Sequence, residues 1–290
     1  MNVLSLLDGI SCGQIALNRV NIPYNNYFAS EIDKNAIKVA QHHYPNTTQL
    51  GDVTKIDAGT LPKIDLLIGG SPCQSFSKSG KMEGFDGKSG LFFEYLRIKE
   101  EVKPTYWLLE NVKMKKEWKD IISGYLGVQP ILINSNLFSA QNRPRYYWTN
   151  IPISDLVDKG IKLEDIVLDD VLPITLTEVR TEEAKRIRRE SMLNGKDFSP
   201  RRAKELVQRK DNKSNCLTAT FSTKEHLFKN KNEDGYRKML PIEWERLQTI
   251  PDNYTLVDGM TNSQRYKMIG NGWTVDVIAH IFENLKNIEL

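Results

Sequence analysis

The sequence contains few of the residues that build disulfides and metal sites. It has three cysteines, Cys12, Cys73 and Cys216, and four histidines in 290 residues. The cysteines are widely separated, odd in number and without paired spacing, which argues against a disulfide framework and against a zinc site. We therefore expect a reducing compartment and no bound metal.

Long apolar runs are also missing. No run approaches the roughly 20 residues that a membrane-spanning helix needs. The apolar residues 1–11 lack a basic start and contain Asp8, so they do not fit a signal peptide. Internal repeats and low-complexity tails are absent. A composition of 40% apolar and 27% charged residues suits one large globular domain with a smaller one.

The net charge of +3 conceals an uneven distribution. Residues 176–232 hold 15 Lys or Arg and 8 Asp or Glu, so this segment carries +7 and the rest of the chain −4. Its basic clusters at 185–189 and 201–204 each fit a solvated helix face when taken alone. Two such clusters in one segment favour a nucleic-acid-binding surface.

Short apolar strands alternate with amphipathic helices in the first half of the chain, which predicts an α/β fold with a parallel sheet. The predicted strands are 2–7, 27–30, 64–68, 106–112, 131–134 and 146–149, with a strand-like piece that ends at 51–53. The predicted helices are 14–20, 34–44, 91–102, 240–248 and 270–285. From about residue 163 the alternation is lost, and we place a smaller domain there.

Polar groups at the ends of the first three strands favour a nucleotide-like cofactor. The turn at 8–13 follows the first strand and leads into a helix N-terminus, although it is not a GxGxxG sequence. Glu31 ends the second strand, where it can accept hydrogen bonds from ribose hydroxyls, and Asp52 can accept one from an adenine amino group. Solvated loop acids are the alternative, but the repeated position at one sheet edge favours the cofactor.

The hexapeptide Gly69-Gly70-Ser71-Pro72-Cys73-Gln74 follows the strand at 64–68. Its two glycines break the strand at the sheet edge where ligands bind, so Cys73 is a candidate nucleophile. A buried cysteine at a strand end is the alternative. Residues 74–90 are rich in Gly, Ser and Lys, which predicts a mobile loop that closes on a polyanionic substrate. An ordinary surface loop is the alternative.

Two further motifs contain charged residues that we expect at the same edge of the sheet as Cys73. Glu110 ends the strand beside that of Cys73, and we expect its carboxyl group to be partly desolvated there. Arg143 and Arg145 lie at strand spacing and face the same way, which suits a phosphate or a base carbonyl oxygen. A surface pair engaged in salt bridges remains the alternative for the two arginines.

Taken together, these motifs resemble those of the DNA cytosine-5 methyltransferases, in the same order and over nearly the whole chain. The segments that carry the resemblance are Ser5–Gly13 (first cofactor motif), Gly69–Gln74 (Pro-Cys), Leu109–Val112 (Glu-Asn-Val), Gln141–Arg145 (Gln-x-Arg-x-Arg), Arg237–Tyr254 (the motif that packs the recognition domain) and Gly270–Gly272 (Gly-Asn-Ser). The loop at 74–80 resembles that of bacterial restriction-modification enzymes, whereas 5–10 and 272–273 lean toward a Dnmt3-like branch.

The resemblance implies a Rossmann-like methyltransferase sheet with a smaller target-recognition domain. It places the catalytic and cofactor-binding domain at 1–165, completed by 268–290, the target-recognition domain at 166–252 and a hinge at 253–267. The implied reaction transfers a methyl group from S-adenosyl-L-methionine to carbon 5 of cytosine in a specific duplex DNA sequence. Base flipping and a covalent Cys73–cytosine intermediate are implied steps, and S-adenosyl-L-homocysteine is the implied product.

The resemblance also assigns roles to single residues. The implied catalytic residues are Cys73, Glu110, Arg143 and Arg145. The implied cofactor-binding residues are Leu7, Asp8, Gly9, Ile10, Cys12, Glu31, Ile32, Asp52, Val53, Gly70, Pro72, Leu91, Asn271, Gly272 and Trp273. The implied DNA-binding residues are Ser79, Lys81, Asn215, Thr218 and Arg237.

The chain departs from the usual family pattern at three of these positions. Leu7 stands where phenylalanine is usual, and Ile32 stands where an aromatic residue is common. We therefore expect aliphatic contacts to adenine in place of ring stacking. Gly272 replaces the usual serine and so removes a hydroxyl near the expected cofactor.

The expected partner is double-stranded DNA, and a cognate restriction endonuclease is left open as a second one. We expect a monomer in the cytoplasm of a prokaryotic cell or a phage-infected host, without membrane association. Two other functions are alternatives. A tRNA cytosine-5 methyltransferase of the Dnmt2 kind is disfavoured because its Cys-Phe-Thr tripeptide is absent. A catalytically silent DNA-binding homologue is disfavoured because Cys73 and Glu110 are both retained.

Overall fold

The computed structural model describes residues 1–70, 90–168, 209–219 and 239–286, and the backbone alone at 227–229, 236–238 and 287. Its strands are β1 Asn2–Leu6, β2 Asn26–Ser30, β3 Thr48–Gln49, β4 Leu66–Gly70, β5 Tyr106–Val112, β6 Ile131–Asn134, β7 Pro144–Thr149, β8 Leu227–Lys229 and β9 Tyr236–Lys238. Its α-helices are α1 Cys12–Arg19, α2 Lys34–His43, α3 Leu91–Val102, α4 Lys116–Leu126, α5 Pro241–Leu247, α6 Asn262–Asn271 and α7 Val275–Phe282.

Seven strands form one sheet in the order β3-β2-β1-β4-β5-β7-β6, which confirms the predicted α/β fold. Strands β1 to β5 pair in parallel, and β7 runs antiparallel to both β5 and β6. The chain moves outward from β1 through β2 to β3, and then crosses to β4 on the other side of β1. This reversal opens a crevice at the carboxyl ends of β1 and β4, where open α/β sheets bind their ligands.

Side chains that alternate along the strands build two apolar layers, one on each face of the sheet. Val3 and Ile68 belong to the layer that includes α1 and α7. Leu4 and Leu67 belong to the opposite layer, which includes α3 and α4. All four side chains are fully buried. Burial on both faces fixes the register of β1 and β4, because a slip by one residue would exchange the two layers.

The boundary predictions hold best where apolar side chains repeat. Helix α3 coincides with the predicted 91–102, and α5, with Pro241 in its first turn, lies within the predicted 240–248. The strand-like piece near 51–53 is shorter than predicted, since β3 ends at Gln49. Asp52 instead caps a short 3-10 helix, Val53–Lys55, by accepting a hydrogen bond from the backbone N–H of Thr54.

The single helix predicted from 270 to 285 is wrong. Helix α6 ends at Asn271, where the Gly272 N–H donates to the Met268 and Ile269 carbonyls, and α7 begins only at Val275. Helix α6 escaped prediction because its sequence is largely polar. Its start depends on a capping box, in which Thr261 and Gln264 exchange side-chain-to-backbone hydrogen bonds.

The smaller C-terminal part is described in pieces. Strands β8 and β9 form an antiparallel pair. Residues 209–219 pack against the segment before β7, where Gln141 and Ser214 form an isolated β-bridge and the Leu217 N–H donates to Gln141 Oε1 at 2.8 Å. The division into domains at 166–252 and a hinge at 253–267 stays a prediction. Within the described ranges, no helix combines the length and apolar character needed to cross a membrane.

Gly270 offers a test of how tightly residues 209–219 pack on α6. A Cβ atom at Gly270 would lie 2.3 Å from the carbonyl oxygen of Thr218, a backbone atom that can move only with its segment. We expect Gly270→Ala to lower the free energy of unfolding by about 1–3 kcal/mol. The measurement is the midpoint of urea unfolding.

The matched control is Gly124→Ala on α4, where an added Cβ meets no atom within 4 Å. There the same substitution relieves the entropic cost of a helical glycine, and we expect a gain of about 0.5–1 kcal/mol. Equal urea midpoints for the two variants would contradict the close packing at Gly270.

Candidate active site

A buried carboxylate stands at the centre of the crevice. Glu110 of β5 lies in register with Gly70 at the end of β4, and only 8% of its surface is exposed. Its Oε1 accepts from Arg145 Nε at 3.0 Å, and its Oε2 accepts from Trp273 Nε1 at 3.1 Å. Burial of a charged carboxylate is tolerated when donors satisfy it from two directions. The expected partial desolvation of Glu110 agrees with this burial.

Arg143 and Arg145 both lie close to the Cys216 sulfur, but their other hydrogen-bond partners differ. The guanidinium of Arg145 pairs with Glu110 and also lies 3.7 Å from the sulfur of Cys216. Arg143 is 4% exposed and lies 3.5 Å from the same sulfur. It donates to the carbonyl oxygens of Leu217, Gly270 and Gly272 at 2.8, 3.2 and 2.9 Å. Arg143 therefore ties β7 to residues 209–219 and to the end of α6.

Cys216 lies in a strongly cationic environment. Burial by itself raises the pKa of its thiol, but Arg143 and Arg145 outweigh that effect, so the pKa lies below the ordinary value of 9.0. Cys12 is the opposite case. It is buried at the start of α1, and desolvation raises the pKa of its thiol to about 12.

The turn after β1 has an unusual backbone. Leu7, Gly9 and Ser11 have φ angles of 59°, 61° and 63°, in the left-handed region that non-glycine residues seldom adopt. Glu31 at the end of β2 fixes the turn, because its Oε2 accepts from the Gly9 N–H at 2.8 Å. Its Oε1 accepts from the N–H groups of Ile32 and Asp33, each at 2.8 Å. Such strain is characteristic of ligand-binding turns.

Asp8 in this turn has one unsatisfied oxygen. The hydroxyl of Tyr27 donates to Asp8 Oδ1 at 2.9 Å, whereas the buried Oδ2 has no hydrogen-bond partner among the described residues. Desolvation by burial raises the pKa of Asp8 to about 6, although the nearby hydroxyl groups of Ser5, Ser11 and Tyr27 act to lower it. A buried acceptor without a donor is costly, and it fits a ligand that brings a donor or a positive charge.

The remaining predicted cofactor-binding residues differ in their exposure and contacts. Ile10 and Val53 are buried in the apolar core. Ile32 is 70% exposed at the crevice side of β2. Asp52 Oδ1 accepts from the N–H and hydroxyl of Thr54 at 3.0 and 2.9 Å, which lowers the pKa of this carboxyl. A Cβ atom at Gly272 would lie 3.3 Å from the Cys12 sulfur. Leu91 opens α3, and Asn271 is exposed at the end of α6.

Several predicted site residues fall outside the part of the chain that the structure describes. They are Pro72, Cys73, Ser79 and Lys81, all in 71–89. Only the backbone of Arg237, in β9, is described. Asn215 and Thr218 lie in the described segment 209–219, and both are exposed. The roles of these residues stay predictions.

Sequence reasoning missed two contributors to the site, Gln141 and Gln248. The side-chain amide of Gln141 donates to the Leu247 carbonyl and to Gln248 Oε1, and Gln248 in turn donates to the Gly272 carbonyl at 2.9 Å. Trp273 was expected beside the cofactor, yet its indole N–H binds Glu110. Gln141 opens the Gln-x-Arg-x-Arg motif, which was the available signal for it. Across the described residues, no group of three His, Cys, Asp or Glu side chains could hold a metal ion.

Comparison with known proteins identifies a family match over most of the chain. The family model described as C-5 cytosine-specific DNA methylase matches residues 1–152 and 150–287. The type II methyltransferase M1.ScrFI of Lactococcus lactis subsp. cremoris is 31% identical over 316 residues, covering 99% of this chain and 78% of that protein. The orphan methyltransferase M.Rho11sI of Bacillus phage rho11s is 37% identical over 189 residues, covering 59% of this chain and 37% of that protein.

Solved structures share the fold at low sequence identity. The Entamoeba histolytica methyltransferase EhMeth has a TM-score of 0.72 at 17% identity, covering 100% of this chain and 99% of that one. A mutant of Spodoptera frugiperda DNMT2 has a TM-score of 0.71 at 20% identity, and the match covers 98% of this chain and 99% of that one. The overall fold is therefore shared with these two methyltransferases at low sequence identity.

The contrast between Cys216 and Cys12 gives a prediction about thiol reactivity. The thiolate is the reactive form, so iodoacetamide should alkylate Cys216 with a pH midpoint below 9.0. Cys12, buried and with a pKa raised to about 12, should stay unmodified in the folded protein at pH 7.5. Peptide mass spectrometry after timed alkylation measures both thiols in one sample. Equal rates for the two, or a midpoint for Cys216 at 9 or above, would contradict the assigned environment.

Proposed function

The chain belongs to the C-5 cytosine-specific DNA methylase family, and from this premise we propose that it methylates carbon 5 of cytosine in a specific sequence of duplex DNA. The observation that carries the proposal is the carboxylate of Glu110, held by Arg145 and Trp273 beside the end of β4. Cys73 follows three residues after Gly70, so the candidate nucleophile comes directly after the strand next to this carboxylate.

The chemistry explains why a thiol and a carboxyl group are needed together. Carbon 5 of cytosine is a poor nucleophile until the ring loses its aromaticity. The Cys73 thiolate forms a bond to carbon 6, and the electron pair of the 5,6 double bond makes carbon 5 nucleophilic. Glu110 contacts ring nitrogen 3 and the amino group, where charge changes during attack, and Arg145 holds the ring carbonyl oxygen. Loss of the carbon 5 proton after methyl transfer expels the thiolate and restores the ring.

The described residues fit S-adenosylmethionine as the cofactor. Among the described residues, the buried Asp8 Oδ2 has no donor, and this cofactor carries an ammonium group and a sulfonium charge. Glu31 has acceptor capacity left on Oε2 for a ribose hydroxyl, and the exposed Ile32 offers an aliphatic surface to adenine. When bound, the cofactor supplies an electrophilic methyl group. Asp8, Glu31 and Ile32 would hold it at the carboxyl ends of β1 and β2.

Access to the target base requires that it leave the DNA stack. Carbon 6 is shielded within a duplex, so the cytosine must be flipped out at a cost of a few kcal/mol. We assign Ser79 to the space left in the helix and Lys81 to the DNA backbone, by resemblance. Asn215 and Thr218 are exposed on the segment that Arg143 ties to the site, which suits base or phosphate contacts beside the flipped nucleotide.

The type II name of the Lactococcus relative suggests a restriction-modification context, and we propose that a cognate endonuclease reads the same DNA sequence. Methylation sequencing of DNA from cells that express the chain tests the function and reports the target. Incubation with labelled S-adenosylmethionine and separate DNA and tRNA pools distinguishes a DNA enzyme from a tRNA enzyme. Methyl transfer only to tRNA, or to neither pool, would overturn the proposal.

The covalent step makes the sharpest prediction. Duplex DNA with 5-fluorocytosine at the target position should become trapped on the protein in the presence of cofactor, because fluorine blocks the final proton loss. Cys73→Ala should abolish both the adduct and methylation, since the nucleophile is removed. Denaturing gel electrophoresis of the complex measures trapping. Retained cofactor binding by calorimetry shows that the variant is folded, and retained methylation would contradict the role of Cys73.

Asp8 predicts how cofactor affinity depends on pH. Its folded-state pKa is raised to about 6, so the carboxyl is largely protonated below that pH and charged above it. A cationic ligand binds the charged form, so affinity should rise about tenfold as pH increases from 5 to 7. Calorimetric titration with S-adenosylmethionine measures this, and Asp8→Asn should bind weakly with a flat profile over the same range. A pH-dependent profile in Asp8→Asn would exclude Asp8 as the titrating group.

A further inference from the structure

We infer that Trp273 is a positioning residue for Glu110, which holds the carboxyl group through its indole N–H and connects it to the cofactor-binding turn. The inference rests on the proposed function, since Glu110 is the group proposed to contact the cytosine ring. The resemblance alone assigns Trp273 to the cofactor. The contacts of its side chain point instead to the carboxylate.

The indole is held against Glu110 by the shape of the site. Its Nε1 lies 3.1 Å from Glu110 Oε2. A Cβ atom at Gly70 would lie 2.9 Å from the same Nε1 and 3.1 Å from Glu110 Oε2. The ring therefore occupies space that exists only because residue 70 has no side chain. Two strands, β4 and β5, and the loop after α6 thus meet at one hydrogen bond.

The backbone of Trp273 is fixed from both sides, which limits where the indole can point. The Gly272 carbonyl before it accepts from Arg143 and from Gln248, each at 2.9 Å. On the other side, the loop packs on the start of α1, where a Cβ atom at Gly272 would lie only 3.3 Å from the Cys12 sulfur. Cys12 directly follows the strained turn that contains Asp8, so a continuous set of contacts joins the cofactor turn to Glu110.

The two carboxylate oxygens of Glu110 have separate anchors. Arg145 alone would hold Oε1 and leave the carboxyl group free to rotate about its last bond. The indole N–H fixes Oε2, so the plane of the carboxyl group is determined before a base arrives. Preorganised groups of this kind lower the barrier because they need not reorient during the reaction.

The test replaces Trp273 with 3-benzothienylalanine, which keeps the bicyclic shape but has sulfur in place of N–H. We expect the single-turnover methyl-transfer rate at saturating cofactor and DNA to fall about tenfold, as for the loss of one hydrogen bond to a charged group. The rate of 5-fluorocytosine trapping should fall by the same factor. The dissociation constant for S-adenosylmethionine should change less than twofold. The simpler Trp273→Phe variant should behave alike if it folds.

The matched control is Trp118→Phe on α4, whose ring faces the ammonium group of Lys115. It makes the same chemical change as Trp273→Phe at a different position and should leave the transfer rate unchanged. An unchanged rate in the benzothienyl variant, or a weakened cofactor affinity at unchanged rate, would overturn the inference. The second result would return Trp273 to a cofactor-binding role.

A measurement that needs no activity separates this inference from the proposed function. The indole N–H resonance of Trp273 in nitrogen-15 spectra, assigned by its loss in Trp273→Phe, should shift in Glu110→Gln. The indole N–H resonance of Trp118 should not shift in Glu110→Gln. If the wild-type protein methylates no DNA but the resonance responds, the proposed function fails and the contact stands. If the resonance does not respond, the positioning role is wrong whatever the activity.

Discussion

The ion pair between Glu110 and Arg145 is the interaction on which the rest of the site depends. Both side chains are nearly buried, at 11% and 13% exposure, so neither charge is solvated well enough to stand alone. Removal of one partner from such a pair leaves an uncompensated buried charge, at a typical cost of about 3–5 kcal/mol. Glu110 lies on β5 and Arg145 on the adjacent strand β7. Because β7 is antiparallel to β5, Arg145 pairs with Val112, two residues along β5 from Glu110.

A second buried cation connects chemistry to recognition. Arg143 makes no ion pair within the described residues but satisfies three backbone carbonyls on two other segments. Residues 209–219 and the end of α6 can therefore not shift without uncovering a buried guanidinium. Gln141 and Gln248 add amide contacts to the same junction. A segment proposed to read DNA is thus fastened to the catalytic sheet by hydrogen bonds rather than by apolar contact alone.

The turn on the cofactor side of the crevice contains features that lower folding stability but suit ligand binding. Two non-glycine residues of the turn, Leu7 and Ser11, hold left-handed backbone angles, and one buried oxygen of Asp8 has no donor in the part of the chain that the structure describes. Each feature is unfavourable in the free protein. Glu31 and the two-sided packing of β1 and β2 hold the turn in this conformation. A bound cation would relieve the unsatisfied oxygen, which couples ligand binding to folding stability.

The amino-acid sequence by itself determined most of the strands of the large sheet, most helices and the residue types at the ends of the strands. These follow from local apolar periodicity and from glycine, proline and carboxylate positions, which short stretches of chain contain in full. Tertiary structure alone decided which groups meet. Trp273 binds Glu110 across 163 positions of sequence, and Cys216 joins Arg143 across 73. Such pairs depend on how the sheet and helices pack, because a side chain's local sequence does not encode which distant donor will face it.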